Sequence, residues 1–278
     1  MVAGQSDPGQ ARGAYGSELV GLATNDLLVP LEGGRWPKVR IRVAQYAAPG
    51  QIMGLGRDGA TIDFGPGERA VLDRQRGEAV FVTTGRSDDG SLIHPLLASA
   101  AAVFAWWRGQ VVLHGGAFEI GGGAWGLLGV RGSGKSSLLA RLALLGHDVM
   151  TDDVLVVSGQ HALAGPRCVD LREEVVGPLG LSERTDLVRQ GHRKRLRLGP
   201  VQPEVPLRGW ISLGWGPKVR MRALAPGERL ACLAANLVGL HHTRFLELGS
   251  LPAWELTRPP QWRSFEPAVE RLLEVSGP

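Results

Sequence analysis

Residues 129–136 match a phosphate-binding pattern. In the order Gly129-Val130-Arg131-Gly132-Ser133-Gly134-Lys135-Ser136 they fit G-x-x-x-x-G-K-S/T at every position. Glycines let consecutive backbone N–H groups turn toward one ligand, and the N-terminus of a following helix adds positive potential. The pattern therefore predicts a polyphosphate site, in which Lys135 reaches the β- and γ-phosphates and the Ser136 hydroxyl holds Mg²⁺.

The expected ligand of this loop is ATP with Mg²⁺. The residues predicted to bind the nucleotide are Gly129, Arg131, Gly132, Ser133, Gly134, Lys135, Ser136 and Ser137. The alternative interpretation is an ordinary glycine-rich turn, because the chain contains 40 glycines. Lysine, however, occurs only at Lys38, Lys135, Lys194 and Lys218. A chance lysine at the motif position is correspondingly rare, which favours the nucleotide site.

A pair of acids follows the loop at Asp152-Asp153, between the apolar segments 149–151 and 154–157. Acids at the end of a strand beside a phosphate loop can hold Mg²⁺ and can take the proton from a hydroxyl. The alternative is a solvated turn in which neither carboxylate has a function. The apolar strands on both sides favour the functional interpretation.

The elements that must position these groups can be predicted from periodicity. The apolar run 125–130 predicts a buried strand that enters the loop, and residues 136–145 predict a helix that leaves it. Leu138, Leu139, Leu142 and Leu145 would share the buried face of that helix, and Gly146 suits its C-terminal end. Other predicted helices lie at 95–108, 230–240 and 267–275, and other strands at 111–113, 118–120, 154–157, 169–172 and 205–215.

The N-terminal third has a different composition. Residues 1–17 predict a disordered tail, and residues 18–90 predict a small β-rich module with strands at 39–43, 60–64 and 79–82. The polar segment 85–91 is the best candidate boundary, so that residues 91–278 would form the phosphate-loop domain. Substrate recognition and structural cover are equally open as roles for the module.

The composition is that of an ordinary globular protein. The chain has 278 residues, 44% hydrophobic and 21% charged, with a net charge of +4. This modest charge does not call for a nucleic-acid partner, and the apolar run 96–107 is too short to span a bilayer. Cys168 and Cys232 lack metal-ligand spacing, and no signal peptide is present, so a reducing, cytoplasmic location without membrane attachment is expected. Whether the chain forms a homo-oligomer is left open.

Three further features have competing interpretations. The basic cluster 189–197 is either a solvated loop, the commoner outcome for a charge run, or a clamp for phosphate or an acidic peptide. Trp106 and Trp107 favour a core position over base stacking, because no basic residues alternate with them. His241-His242 has no third ligand nearby, which disfavours a metal site.

Taken in order, His114-Gly115, the phosphate loop, Gly146-His147 and Asp152-Asp153 resemble the HPr kinase/phosphorylase family. They are most similar to its diverged relatives that phosphorylate precursor peptides, such as those of lasso-peptide pathways. The resemblance covers residues 114–157, with an extension to Arg172, and the family's spacings between histidine, lysine and acids are present without a gap. It implies an α/β phosphate-loop kinase domain of the HPr kinase type, a mixed sheet with flanking helices.

The resemblance also implies roles for individual residues. Asp153 would be the general base for the acceptor hydroxyl, Asp152 would lie near the metal, and His114 would lie near the phosphates unless it is a hydrogen-bonded core histidine. A glutamate-x-arginine pair in the family supplies a Mg²⁺ ligand and a phosphate-facing cation, and Asp170 and Arg172 match it best. The predicted catalytic residues are thus Asp153, Asp152, His114, Lys135 and Arg172, and the predicted metal ligands are Ser136, Asp152 and Asp170.

The chain departs from the family's pattern at two places. The segment 205–209 is an alternative position for the acid-and-arginine pair, but Pro206 stands where the acid should be. Ser137 replaces the glutamate that usually follows the serine of the loop, and no phosphorolysis element is visible. The forward reaction is therefore the one expected.

These features predict an ATP-dependent kinase that phosphorylates a serine or threonine hydroxyl of a protein or precursor peptide. One alternative is a small-molecule kinase or a phosphate-loop ATPase, which the closeness of the acid pair to the first helix disfavours. The other is a non-catalytic nucleotide-binding regulator. The presence of the lysine, the serine and both acids disfavours that alternative, because a protein without catalysis has no chemical need of all four.

Overall fold

The computed structural model of the protein describes residues 10–22, 26–45, 54–65, 67–83, 92–188, 193–239 and 244–277. Within these ranges the chain folds into a seven-stranded and a nine-stranded sheet, both mixed, with a small antiparallel sheet and few helices. The predicted α/β class is confirmed. The finer prediction of an HPr kinase type stays a prediction.

The first sheet contains seven strands in the order β3-β1-β2-β4-β7-β6-β5. These are β1 (Arg12–Ala14), β2 (Ser17–Val20), β3 (Val29–Pro30), β4 (Lys38–Ala44), β5 (Gly59–Gly65), β6 (Glu68–Asp73) and β7 (Glu78–Val82). The strands predicted at 39–43, 60–64 and 79–82 are β4, β5 and β7. Residues 12–17, predicted as disordered, are instead part of this sheet, because Ala14 and Tyr15 are fully buried in the core.

The remaining strands form two sheets. They are β8 (Val111–His114), β9 (Gly116–Ile120), β10 (Gly123–Leu128), β11 (Asp148–Thr151), β12 (Val154–Ser158), β13 (His161–Leu163), β14 (Cys168–Arg172), β15 (Thr185–Val188), β16 (Arg193–Arg197), β17 (Glu204–Trp215), β18 (Arg220–Ala223) and β19 (Ala253–Arg258). The nine-stranded sheet has the order β11-β9-β10-β17-β13-β12-β8, with β19 paired to β17 and β18, and the small sheet has the order β14-β16-β15.

The helices are α1 (Leu97–Trp107), α2 (Lys135–Leu144), α3 (Glu173–Val176), α4 (Pro226–Asn236), α5 (Phe245–Leu248) and α6 (Phe265–Ser276). An irregular helical segment, Leu92–Leu96, precedes α1, and a 3₁₀ turn, Trp262–Ser264, precedes α6. Of the helices in the described ranges, none combines the length and the apolar character needed to cross a bilayer.

Two helix predictions need correction. The helix predicted at 230–240 is α4, which begins earlier because Pro226 occupies its first turn and the Glu228 carboxylate accepts a hydrogen bond from the Ala225 amide at 2.8 Å. It ends at Asn236, since Leu237 is extended, and residue 240 and the pair His241-His242 lie outside the described residues. Leu145, expected on the buried face of α2, is 43% exposed.

The basic cluster also differs from its commoner interpretation as a solvated loop. Residues 189–192 lie outside the described residues, but Arg193–Arg197 is strand β16, and Arg195 is only 2% exposed.

The segment 85–91, predicted as the domain boundary, lies outside the described residues, so the domain division proposed there stays a prediction. The two parts share a core, in which α1 packs against the first sheet and against Val112 and Val156 of the second.

The topology brings four strand ends to one edge of the large sheet. Strands β10, β17 and β19 are parallel neighbours, and β11 runs parallel to β10 because each pairs antiparallel with β9. The carboxyl ends of these four strands therefore meet at one edge, in the order β11, β10, β17, β19. The phosphate loop follows β10, and the acid pair follows β11.

Candidate functional site

The loop between β10 and α2 has the backbone conformation that its glycines allow. Gly129, Gly132 and Gly134 have φ of 140°, 87° and 94°, in a region that favours glycine. A Cβ at Gly129 would also lie 2.7 Å from the Leu213 carbonyl oxygen, so the loop packs directly on β17. Helix α2 begins at Lys135, with its free N–H groups at the loop. The local sequence thus dictates a glycine turn whose geometry suits an anion.

Lys135 is held inside the loop. Its Nζ donates to the carbonyl oxygens of Gly129 at 2.6 Å and Val130 at 3.4 Å, and lies 3.3 Å from His114 Nε2. The residue is 7% exposed. Burial lowers the pKa of the Lys135 ammonium, whereas the nearby carboxylates of Asp152 and Asp153 raise it. The cation is therefore fixed at the point where the loop would hold phosphate.

His114, at the end of β8, lies between this lysine and the acid pair. Its Nδ1 is 3.1 Å from the Asp153 carbonyl oxygen and 3.6 Å from Asp153 Oδ1. An ammonium can only donate, so we assign the neutral tautomer in which Nε2 accepts from Lys135 and Nδ1–H donates to Asp153. The His114 side chain is 39% exposed and lines a cavity beside the phosphate loop, whereas a core histidine would be buried.

The two acids have opposite environments. Asp153 adopts φ 69°, in the left-handed region, and its carboxylate is 47% exposed. Asp152 is 4% exposed, and burial raises its pKa to about 6, although a hydrogen bond from the Ser136 hydroxyl lowers it. Asp152 Oδ1 has no hydrogen-bond partner among the described residues. The turn thus directs one carboxylate toward solvent and the other toward the start of α2.

Ser136 and Asp152 fit a bound Mg²⁺. A buried carboxylate oxygen without a donor is costly, and a hard cation that takes oxygen ligands would satisfy it. No group of three or more histidine, cysteine, aspartate or glutamate side chains within the described part of the chain could hold a metal ion. A metal here would therefore depend on Ser136, Asp152, water and phosphate oxygens, which is how Mg²⁺ is commonly bound.

Asp170, the third predicted metal ligand, has another partner. Arg195 donates to Asp170 Oδ1 at 2.8 Å and Oδ2 at 2.9 Å, and the two side chains are 4% and 2% exposed. This bidentate pair joins β14 to β16, which are antiparallel neighbours. Its role as a metal ligand stays a prediction, since the structure commits both oxygens to Arg195. Arg172 is 53% exposed and lies 3.6 Å from Glu174.

One cavity, of about 640 Å³, brings these groups together. All five predicted catalytic residues line it, as do the three predicted metal ligands. Of the predicted nucleotide-binding residues, only Gly129 and Ser133 do not line the cavity. Ser133 is 2% exposed and packs against Gly129, so its part is to shape the loop.

Sequence reasoning missed several groups at this site, among them Asn236, Trp215 and Arg258. Asn236 Oδ1 accepts a hydrogen bond from the Gly129 amide at 3.2 Å, and its Nδ2 donates to the Cys232 carbonyl at 2.8 Å. Trp215 and Arg258, at the carboxyl ends of β17 and β19, line the cavity beside the loop. No local motif marks them. Trp215 was the last residue of the strand predicted at 205–215 and Asn236 lay within the helix predicted at 230–240, whereas no element was predicted at Arg258.

Comparison with known proteins adds little to this geometry. One matching solved structure is the HPr(Ser) kinase/phosphatase from Coxiella burnetii, which is 15% identical, with 60% of this chain and 99% of that chain covered. The TM-score is 0.27, so the likeness is remote and supports no argument about fold or function. No family model and no curated protein matches the chain. A functional assignment must therefore be argued from the site itself.

Proposed function

We propose that this protein is an ATP-dependent kinase that phosphorylates a serine or threonine hydroxyl of a protein or precursor peptide. One observation carries the proposal: His114 contacts both the buried Lys135 of the phosphate loop and the exposed acid Asp153, within one cavity. A cation for the phosphates and a base for the acceptor are thus adjacent. That is the pair of groups that phosphoryl transfer requires.

The chemistry needs only positioning and one proton transfer. The acceptor oxygen forms a bond to the γ-phosphorus while the bond from that phosphorus to the β–γ bridging oxygen breaks, and ADP leaves with the electron pair. Asp153 takes the hydroxyl proton, for which its exposed carboxylate on the cavity wall is suited. Lys135 and the loop amides stabilise charge on the transferred group.

Ser136 and Asp152 would hold Mg²⁺, which when bound would neutralise charge on the β- and γ-phosphate oxygens. The two acids then have separate tasks, and their environments explain the division. Asp152 is buried beside Ser136, whereas Asp153 faces the open cavity. A peptide hydroxyl can therefore reach the exposed carboxylate of Asp153 but not the buried carboxylate of Asp152.

The test is mass spectrometry of a candidate serine-containing acceptor peptide after incubation with the protein, ATP and Mg²⁺. We expect one added phosphate, and none with Lys135→Ala. The matched control is Lys218→Ala, which removes a lysine at a position outside the cavity lining. Tight ATP binding without transfer to any acceptor would contradict the proposal and favour a nucleotide-binding regulator.

A phosphate-loop ATPase is the second candidate, favoured by one observation. The Asp153 carboxylate is 47% exposed, so water can reach it as readily as a hydroxyl can. Phosphate release from ATP without any peptide distinguishes the two candidates. Hydrolysis that a peptide does not reduce would support the ATPase, whereas transfer to the peptide at the expense of hydrolysis would support the kinase.

A further inference from the structure

The cavity wall on the far side of the phosphate loop from the acid pair has a different chemistry. The acids follow β11, on one side of β10, while β17 and β19 lie on the other side and end at Trp215 and Arg258. Pro260 and Trp262, which follow β19, line the same wall. We call these four residues, Trp215, Arg258, Pro260 and Trp262, the aromatic wall.

Among the described residues, Arg258 is a stacked cation without an acidic partner. Its guanidinium carbon lies 4.4 Å from the centre of the Trp215 ring and 5.1 Å from that of Phe265. Its Nη1 donates only to the adjacent Pro259 carbonyl, at 3.3 Å. Throughout the described ranges, no carboxylate forms an ion pair with Arg258. Burial lowers the pKa of this guanidinium, because partial removal from water disfavours its charged form.

The position of this cation is unfavourable unless an anion binds. A Cβ on Gly134 would lie 2.9 Å from Arg258 Nη2, so the guanidinium abuts the first residue before α2. That helix end already carries positive potential from its free N–H groups. A second positive charge without a carboxylate raises the electrostatic free energy of the site. A phosphate that contacts both the helix end and Arg258 would remove this cost.

The wall also exposes flat apolar surface in a cavity that is otherwise highly charged. Trp215 is 44% and Trp262 is 43% exposed. Arg258 covers one face of Trp215. Trp262 is braced by Phe265, at 5.2 Å between ring centres with an interplanar angle of 65°. Aromatic side chains exposed beside a phosphate site are suited to stack on a nucleobase, because every nucleobase has a flat π-face.

We propose that the aromatic wall binds the nucleoside half of the nucleotide, with the base stacked on Trp262 and the α-phosphate bound to Arg258. The direction follows from the topology: the γ-phosphate must face the acids after β11, so the opposite end of the nucleotide points toward β17 and β19. This inference rests on the proposed nucleotide-dependent function, since it concerns the same cavity. It adds two specific residues and assigns the orientation of the ligand.

The experiment compares two ligands by calorimetry in the presence of Mg²⁺: ATP and inorganic triphosphate, which lacks the nucleoside. Trp262→Ala should weaken ATP binding roughly 5- to 150-fold, the range for loss of one stacked base, and leave triphosphate binding unchanged. Trp262→Phe should retain most of the affinity. Arg258→Gln should weaken both ligands, because both place a phosphate beside α2.

Leu145→Ala is the control for surface loss, since Leu145 is as exposed as Trp262 and lies outside the cavity lining. It should leave both affinities unchanged. Equal affinity of wild type and Trp262→Ala for ATP would overturn the inference. A loss of triphosphate binding in Trp262→Ala as large as its loss of ATP binding would also overturn it. Failure of wild type to bind either ligand would overturn it as well. Because no acceptor is needed, ATP binding of the expected kind without any transfer would refute the kinase and leave this inference intact.

Discussion

The Lys135 ammonium and the His114 imidazole are 3.3 Å apart, and in this contact Nε2 of the histidine is the acceptor. Since the lysine donates, Nε2 must accept, and Nδ1–H is left to donate to the Asp153 carbonyl. One ring thereby links β8, the phosphate loop and the acid turn. The contact thus brings together three motifs that are separate along the chain.

Removing the acceptor from this contact should weaken catalysis. His114→Leu takes away a hydrogen bond to a charged group, with a typical value of about 1.5–3 kcal/mol, so kcat/KM should fall about 13- to 160-fold. His114→Gln is the matched variant, because its Oε1 can accept from Lys135, and it should lose less. Steady-state kinetics with ATP measures both. Equal losses in the two variants would show that the acceptor role is wrong.

Asp153→Asn tests the general base. Asparagine tolerates the left-handed backbone at φ 69°, so the turn should be preserved while the base is lost. We expect kcat to fall about 10²- to 10⁴-fold with ATP affinity nearly unchanged, because the carboxylate acts on the acceptor. Asp148→Asn removes an exposed acid from the start of β11 and should have no effect. Turnover equal to wild type in Asp153→Asn would refute the assignment.

Asp170→Asn separates a structural role from a metal-binding role. Loss of the carboxylate removes the bidentate ionic partner of the buried Arg195, so the free energy of unfolding should drop by about 3–5 kcal/mol. Denaturant titration measures this. Asp186→Asn breaks the exposed pair with Arg197, 67% and 54% exposed, and should cost about 0–1 kcal/mol.

The same variant has a second readout. The Mg²⁺ concentration for half-maximal activity should be unchanged in Asp170→Asn assayed under folded conditions, and should rise in Asp152→Asn. If Asp170→Asn were as stable as the wild type but needed more Mg²⁺ for activity, Asp170 would instead be supported as the metal ligand that the family resemblance implies.

Asn236→Ala should loosen the phosphate loop. The Gly129 amide loses the acceptor at 3.2 Å, and a neutral hydrogen bond of about 0.5–1.5 kcal/mol corresponds to roughly a 2- to 12-fold weaker affinity. Because the loop holds phosphates and not the nucleoside, calorimetry should show equal losses for ATP and inorganic triphosphate. A loss for ATP alone, or none for either ligand, would contradict this role.

The elements nearest the loop were predictable because their signals are local. Periodicity placed α2 within one residue of its position at Lys135–Leu144, and apolar runs located β10, β12 and β17. The exposed Leu145 shows where such reasoning stops. A helical wheel places it on the buried face, but the helix ends at Leu144, and Leu145 is exposed although Leu142 in the last turn is fully buried.

The sequence by itself determined the phosphate loop, its glycine conformations and the acid turn, because each depends on residues within a few positions of one another. Only the tertiary structure decided that Arg195 binds Asp170, that Asn236 supports Gly129, and that Arg258 lies beside Gly134. These pairs are separated by 25, 107 and more than a hundred positions, and no local pattern encodes them. Arg195 and Asp170 are directly paired residues of β16 and β14, Asn236 reaches Gly129 from the end of α4, and Arg258 reaches Gly134 from the end of β19. These contacts depend on how the strands pair and how α4 packs, and burial then favours a hydrogen bond or ion pair where polar groups meet.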